Sequence, residues 1–193
     1  MKNISQKFSN AKIKGLSLIE ILVTVVILSI GLLGIAATQT LGMGYNHDSY
    51  LRSQATMMIN ELTERMSINL TAVDNNNFVD HPDNIGAINT DYAMGGCGTA
   101  PAPLCEAGVV CTPVQLATYD MFRIACGFNA GGNDGVVNIF PNGTLNIACI
   151  DSDGGVDADP CTNGSNHQIT ITWQRANLNI NPIASQVQLV VLP

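Results

Sequence analysis

A run of 22 residues, Leu16 to Ala37, is built to enter a bilayer yet carries one acid, Glu20, at its fifth position. At about 1.5 Å per residue, a helix of that length crosses the roughly 30 Å hydrocarbon core of a membrane. Every other residue in the run is Leu, Ile, Val, Ala, Gly, Thr, Ser or the like. A carboxylate inside such a helix costs about 2.5 to 3.5 kcal/mol on insertion scales, so an intramembrane acid points to function and predicts a partner for its charge.

The 15 residues before the run hold Lys2, Lys7, Lys12 and Lys14 and no acid. That pattern stays in the cytoplasm and sends the carboxyl-terminal part outward. A secretory signal peptide shares the basic start and apolar core but ends in a small-x-small site. Here Ile35-Ala36-Ala37 is a poor version of that site, and Glu20 would interrupt the core. A plain uncleaved anchor gives no role to Glu20 and none to Gly15 at the membrane edge.

Lys14-Gly15-Leu16-Ser17-Leu18-Ile19-Glu20 resembles the class III signal of type IV pilins and pseudopilins, which a prepilin peptidase cuts after the glycine and methylates at the new amino terminus. The resemblance implies a leader of residues 1–15, cleavage between Gly15 and Leu16, and N-methylation of Leu16. Leu16 departs from the Phe most frequent at that place. The resemblance also gives Glu20 an assembly role. Amino-terminal helices pack without water in a filament, and the carboxylate there meets the free amino terminus of a neighbouring Leu16. A buried pair is tolerated where a lone charge is not, and it selects axial register. The implied partners are prepilin peptidase, other major and minor pilins, and the bacterial inner membrane before assembly. The leader would be cytoplasmic and the head periplasmic, in a single-pass protein that ends in a surface filament.

Removal of the leader leaves Arg52, Arg65, Arg123 and Arg175 against 15 acidic residues, a formal charge of −11 before the termini. Such a chain has no electrostatic reason to bind nucleic acid.

The membrane-entering or filament-core segment is assigned to 16–38 and an amphipathic continuation to 39–70. Gly31, Gly34, Gly42 and Gly44 each cost roughly 1 kcal/mol in a helix interior. They mark points of bending or local melting, or places where membrane helices approach closely. By the resemblance, Ser29 to Gln39 matches a pilin region that unwinds on assembly. Further on, Leu51, Ala55, Met58, Leu62 and Met66 recur on one helix face, with Arg52, Glu61, Glu64 and Arg65 largely off it. The methionines on this stripe read as core filler. Asn69, Asp74, Asn75, Asn76 and Asn77 then end the helix.

The head, 71–193, is poor in charge, and its strand candidates are Val136–Phe140, Thr144–Ile150, Gln168–Gln174 and Gln186–Leu192. Ile169-Thr170-Ile171-Thr172-Trp173 alternates as a strand with one buried face, and the last run can pair beside it. A long amino-terminal helix packed on a small antiparallel sheet is an α+β arrangement, also the pilin fold. The order of three segments resembles PilV-like type IV pilus modification proteins, a group of minor pilins. These segments are Gln115 to Phe122 with its Asp120, Phe140-Pro141-Asn142-Gly143-Thr144, and the strand ending in Trp173. That likeness implies a minor pilus subunit serving assembly, modification or adhesion, with a type II secretion pseudopilin as the alternative.

Cys97, Cys105, Cys111, Cys126, Cys149 and Cys161 all fall in the exported head, where an even number favours disulfides. Close spacing favours Cys97 with Cys105 or Cys111, and Cys149 with Cys161. Zinc competes poorly, because there is no Cys-x-x-Cys pair and His47, His81 and His167 are dispersed. Asp151, Asp153, Asp157 and Asp159 alternate as in a calcium loop, but Thr162 stands where a bidentate Glu belongs and the glycines are misplaced. The loop is therefore either a calcium site or a solvated acidic turn. A membrane-tethered, calcium-dependent adhesive module is a further alternative for the head. Asn142-Gly143-Thr144 is a glycosylation triplet too short to carry weight. No nucleophile, Walker or His-Glu-x-x-His motif supports an enzyme, and no organic cofactor is implied.

Overall fold

The computed structural model describes residues 17–79, 97, 100–106, 108–128, 134–151, 164–175 and 183–193. The chain divides into two compact units, one ending at Asn46 and the other beginning at His47. The architecture is α+β: a long amino-terminal helix and a small three-stranded antiparallel sheet with short helices. Helix α1, Leu18–Ile68, contributes to both units. Gly31, Gly34, Gly42 and Gly44 lie inside it without breaking it, and a Cβ at any of them would meet nothing within 4 Å.

In the second unit, α1 buries Leu51, Ala55, Ile59, Leu62 and Met66. The steps of four, four, three and four keep these side chains on one face. Ile59 takes the central place, whereas Met58 is only partly buried beside the core. The helix stops where the Asn69 N–H donates to the Met66 carbonyl at 3.0 Å. Asn69 then opens the short helix α2, Leu70–Asp74, and its side chain donates to the Pro113 carbonyl at 2.8 Å. Asn76, at φ 56°, and Asn77 close that turn, as their side chains favour.

Helix α3, Pro113–Cys126, begins with a reciprocal cap. Thr112 Oγ1 accepts from the Gln115 N–H, and Gln115 Oε1 accepts from the Thr112 N–H. Proline at the first helical position completes the start. The far end needs two glycines. Gly127 has φ 86° and its missing Cβ would collide with the Asp134 carbonyl, while a Cβ on Gly135, at φ 106°, would collide with Gly127. Their mutual approach delivers the chain into α4, Val136–Ile139.

Val136–Phe140 is therefore a single helical turn and not the strand expected from its apolar residues. The Gly135 carbonyl accepts from Asn138 and Ile139, and Asn138 Nδ2 donates to the Cys126 and Asp134 carbonyls. These bonds fix the turn locally, and four residues are too few for periodicity to distinguish helix from strand. The following turn is held by Gly143 N–H to Phe140 O at 2.9 Å and Gln174 N–H to Pro141 O at 2.8 Å. It leads into the sheet.

Strands β1, Thr144–Ile150, β2, Asn166–Arg175, and β3, Ile183–Val191, are antiparallel in the order β1-β2-β3. One row of register runs Ile147, Ile169, Leu189 and the next Leu145, Ile171, Val187. Ile169, Ile171 and Trp173 are all buried, as their alternation requires. They join the α1 stripe, Phe78, Met121, Phe122 and Phe140 in one core, where the Phe140 and Trp173 ring centroids stand 5.3 Å apart.

Cys97 bonds Cys126, and Cys105 bonds Cys111. The expected link of Cys97 to Cys105 or Cys111 is thus replaced by a longer one. Spacing favours short loops, but the buried carboxyl-terminal turn of α3 brings Cys126 within 5.5 Å of Cys97 between Cα atoms. Cys149 is also disulfide-bonded, and its expected mate Cys161 lies outside the described residues. With separations of 29 and 6 residues, the chain-entropy relation gives about 3.6 and about 2.2 kcal/mol respectively. Denaturant midpoints of the paired serine variants should accordingly fall further for Cys97→Ser with Cys126→Ser than for Cys105→Ser with Cys111→Ser.

Candidate functional site

Gly15 and Leu16, the expected cleavage and methylation positions, lie outside the described residues. The description begins at Ser17, whose carbonyl accepts from the Glu20 N–H at 3.0 Å and the Ile21 N–H at 3.3 Å. Those bonds place Glu20 in the first turn of α1. A carboxylate there faces unsatisfied backbone N–H groups and the positive end of the helix dipole. From Ser17 to Leu41 every side chain is exposed, including Leu18 at 84%. The helix is long and apolar enough to cross a membrane.

Four polar residues lie between Leu18 and Thr38, and three of them are satisfied within the helix. Thr24 donates to Ile21 O, Ser29 to Val25 O and Thr38 to Ile35 O, at 2.7 to 2.8 Å. Thr40 repeats the device with Ala36 O. Such back-bonding lets a hydroxyl enter an apolar medium without an orphaned donor. Glu20 is the exception, since no described residue hydrogen-bonds to its carboxyl group or forms an ion pair with it. The segment thus presents one acid that asks for a partner from elsewhere.

The other sequence candidates do not converge. Asp151 is held by Ser165, whose Oγ donates to Oδ1 at 3.2 Å, while Asp153, Asp157 and Asp159 lie outside the described residues. No three His, Cys, Asp or Glu side chains gather into a metal site among the described residues. His47 is exposed and His167 is buried, while His81 lies outside the described residues.

An ionic cluster that spacing did not reveal joins α1 to α3. Arg65 donates to Glu61 Oε1 at 2.7 Å and to Asp120 Oδ1 at 2.6 Å, across 55 residues. Asp120 is the acid of the segment from Gln115 to Phe122. Its side chain is 4% exposed and that of Arg65 is 29% exposed. Burial pushes the Asp120 carboxyl above its usual range even though the Arg65 hydrogen bond and charge pull the other way. Burial also works against the Arg65 cation, but its bonds to Glu61 and Asp120 prevail and hold its pKa up. Nearby, Tyr119 donates to Glu106 Oε1 at 2.7 Å, and burial followed by that bond raises its phenol.

His167 sits on β2 with Nδ1 3.2 Å from the Ser165 carbonyl, while Nε2 is buried without a hydrogen-bond partner among the described residues. Burial lowers its pKa against the raising effect of that carbonyl. The unfolded chain therefore binds a proton near the ordinary value of about 6.5 when the folded chain does not, and stability falls as the pH drops below it. Replacement of His167 by Gln should flatten the unfolding free energy just below that pH. Asp120 has the opposite sign: its raised pKa makes ionisation weaken the fold as the pH rises from the ordinary carboxylate value through the folded one. Arg65→Ala should lower stability by about 2 to 3 kcal/mol, less than for a wholly buried pair because water reaches Arg65. Asp120→Asn should cost less than half of that in the same denaturant titration.

Residues 10–36 match the family model of the prokaryotic N-terminal methylation motif. No curated protein and no solved structure is significantly similar to the chain. The motif covers Gly15, Leu16 and Glu20 and the first turns of the exposed apolar helix. Residues 10–36 thus match a prokaryotic amino-terminal methylation motif that runs into a helix long and apolar enough to cross a membrane.

Proposed function

We propose that the protein is a minor subunit of a type IV pilus. Prepilin peptidase removes residues 1–15 by cutting after Gly15 and methylates Leu16. The segment 16–38 holds the chain in the inner membrane, 39–70 continues the helix, and 71–193 is the periplasmic head. On assembly the amino-terminal helix enters the filament core among major and minor pilins. Glu20 there pairs with the free amino terminus of a neighbouring subunit and sets axial register. The subunit serves assembly, modification or adhesion as a structural component and not as an enzyme.

The observation that carries this proposal is the polar accounting of α1. From Leu18 to Thr38 every hydroxyl hydrogen-bonds within the helix, and among the described residues nothing pairs with the Glu20 carboxyl group. A plain tether has no use for such a residue. The PilV-like assignment is supported by the order of three elements: α3 with its buried Asp120, the turn from Phe140 to Thr144, and β2 with its buried Trp173.

Mass spectrometry of the membrane-extracted protein should find a chain that begins at Leu16 and is one methyl group heavier. A Met1 terminus, or a cut near Ala37, overturns the proposal. Glu20→Ala should leave processing intact and remove the subunit from sheared filaments. Incorporation at the parental level would show that Glu20 does not set register, and recovery only with type II secretion components would make the protein a pseudopilin.

A further inference from the structure

Of the two described histidines, His47 is exposed and His167 is only 2% exposed. His167 alternates in step with Ile169, Ile171 and Trp173 along β2, which puts its ring on the core face. It also stands where the sheet ends. Its partner on β1 is Cys149, next to last in that strand, and its partner on β3 is Val191, the last residue of that one. Only the pair of Ile150 with Asn166 lies beyond. Parting the strands at this end breaks few ladder bonds, and local opening of that kind costs far less than global unfolding.

The Ser165 carbonyl accepts from Nδ1–H at 3.2 Å, which assigns the ring proton to Nδ1 and leaves Nε2 as the basic nitrogen. Nε2 is buried without a hydrogen-bond partner among the described residues. A proton arriving there creates a buried cation whose new N–H has no acceptor, a costly arrangement. Among the described residues no carboxylate pairs with the ring to offset that cost. Cys149 is disulfide-bonded and carries no charge, and β3 has no charged residue. Asp151, just past β1, accepts from Ser165 Oγ, and Arg175 ends β2 at its far side. On the helices across the core, Asp48 pairs with Arg52, Glu61 and Asp120 pair with Arg65, Glu64 is exposed, and Arg123 lies over Phe128. We propose that His167 is an acid-sensitive latch: protonation at Nε2 parts the strand ends around Cys149 and Val191 while the Trp173 end of the sheet stays closed. Opening gives the imidazolium water as its acceptor. The Trp173 end has no such group, and the Phe140 ring and Arg52 pack on it. Burial lowers the pKa of His167, which runs the same way. The latch rests on the sheet alone and does not depend on the assembly role of Glu20.

Amide hydrogen exchange of the full chain in detergent micelles tests this, with rates corrected for the intrinsic effect of pH. An open form whose imidazole titrates near its ordinary value gains about tenfold in population between about pH 7.5 and about pH 5.5. Exchange at Ala148–Ile150, Asn166–Gln168 and Val190–Val191 should therefore rise about tenfold over that interval. Exchange at the opposite end, Thr172–Arg175 and Ile183–Ser185, should stay level. His167→Gln keeps a polar side chain that takes no proton and should abolish the rise. His167→Leu, which fills the place with an apolar side chain, should do the same. Level exchange at both ends of the parent sheet, or an equal rise at both, overturns the proposal. So does a rise that survives in either variant.

Discussion

The apolar stripe Leu51, Ala55, Ile59, Leu62 and Met66 is what the second unit is built on. Ile169, Ile171 and Trp173 turn one face of a three-stranded sheet toward the core they share with that stripe. A sheet with one apolar face has to bury that face against another element, and here the helix stripe takes that place. Burying each large aliphatic side chain stabilises by about 1.5 to 3 kcal/mol, so the stripe matters more than any single polar contact around it. The same helix carries the exposed apolar segment of the first unit. One element therefore supplies the amino-terminal signal region and the main support of the fold.

Polar groups arranged around that core fix its geometry more than they strengthen it. Arg65 ties α1 to α3 through Asp120, and Asn69 ties the end of α1 to the start of α3. The buried carboxylate at Asp120 carries a desolvation cost that its partner only partly offsets. Such a pair adds little net stability and penalises misalignment of the two helices. The Cys97–Cys126 bond acts at the other end of α3. Between them they hold one helix at both ends.

The elements legible in the sequence were those with length or alternation. β1 has the expected bounds, and β2 and β3 extend theirs by one to three residues at most ends, because Ile-Thr-Ile-Thr-Trp has a clear period of two. The α1 stripe was legible for the same reason at a helical period, although Ile59 was passed over for Met58. Val136–Phe140 was misread because its conformation is decided by Gly127, Gly135 and Asn138, contacts that no short window contains. The start of α3 is legible in Thr112-Pro113-x-Gln115, a capping signature that lies just ahead of the Gln115 to Phe122 segment. Cys126 as the mate of Cys97, and Asp120 as the mate of Arg65, could not be read from spacing, since packing and not chain proximity brings them together. At the amino terminus the reverse holds: Glu20 needed no tertiary information, because its anomaly lies in its immediate neighbours.

The internally bonded hydroxyls of α1 bear on how readily the segment changes surroundings. A helix whose Thr and Ser side chains are already saturated makes nearly equal demands of lipid tails and of apolar protein side chains. Transfer between those two media is then close to isoenergetic along most of its length. The remaining demand is concentrated at one carboxyl group, whose desolvation is the cost that either medium has to meet.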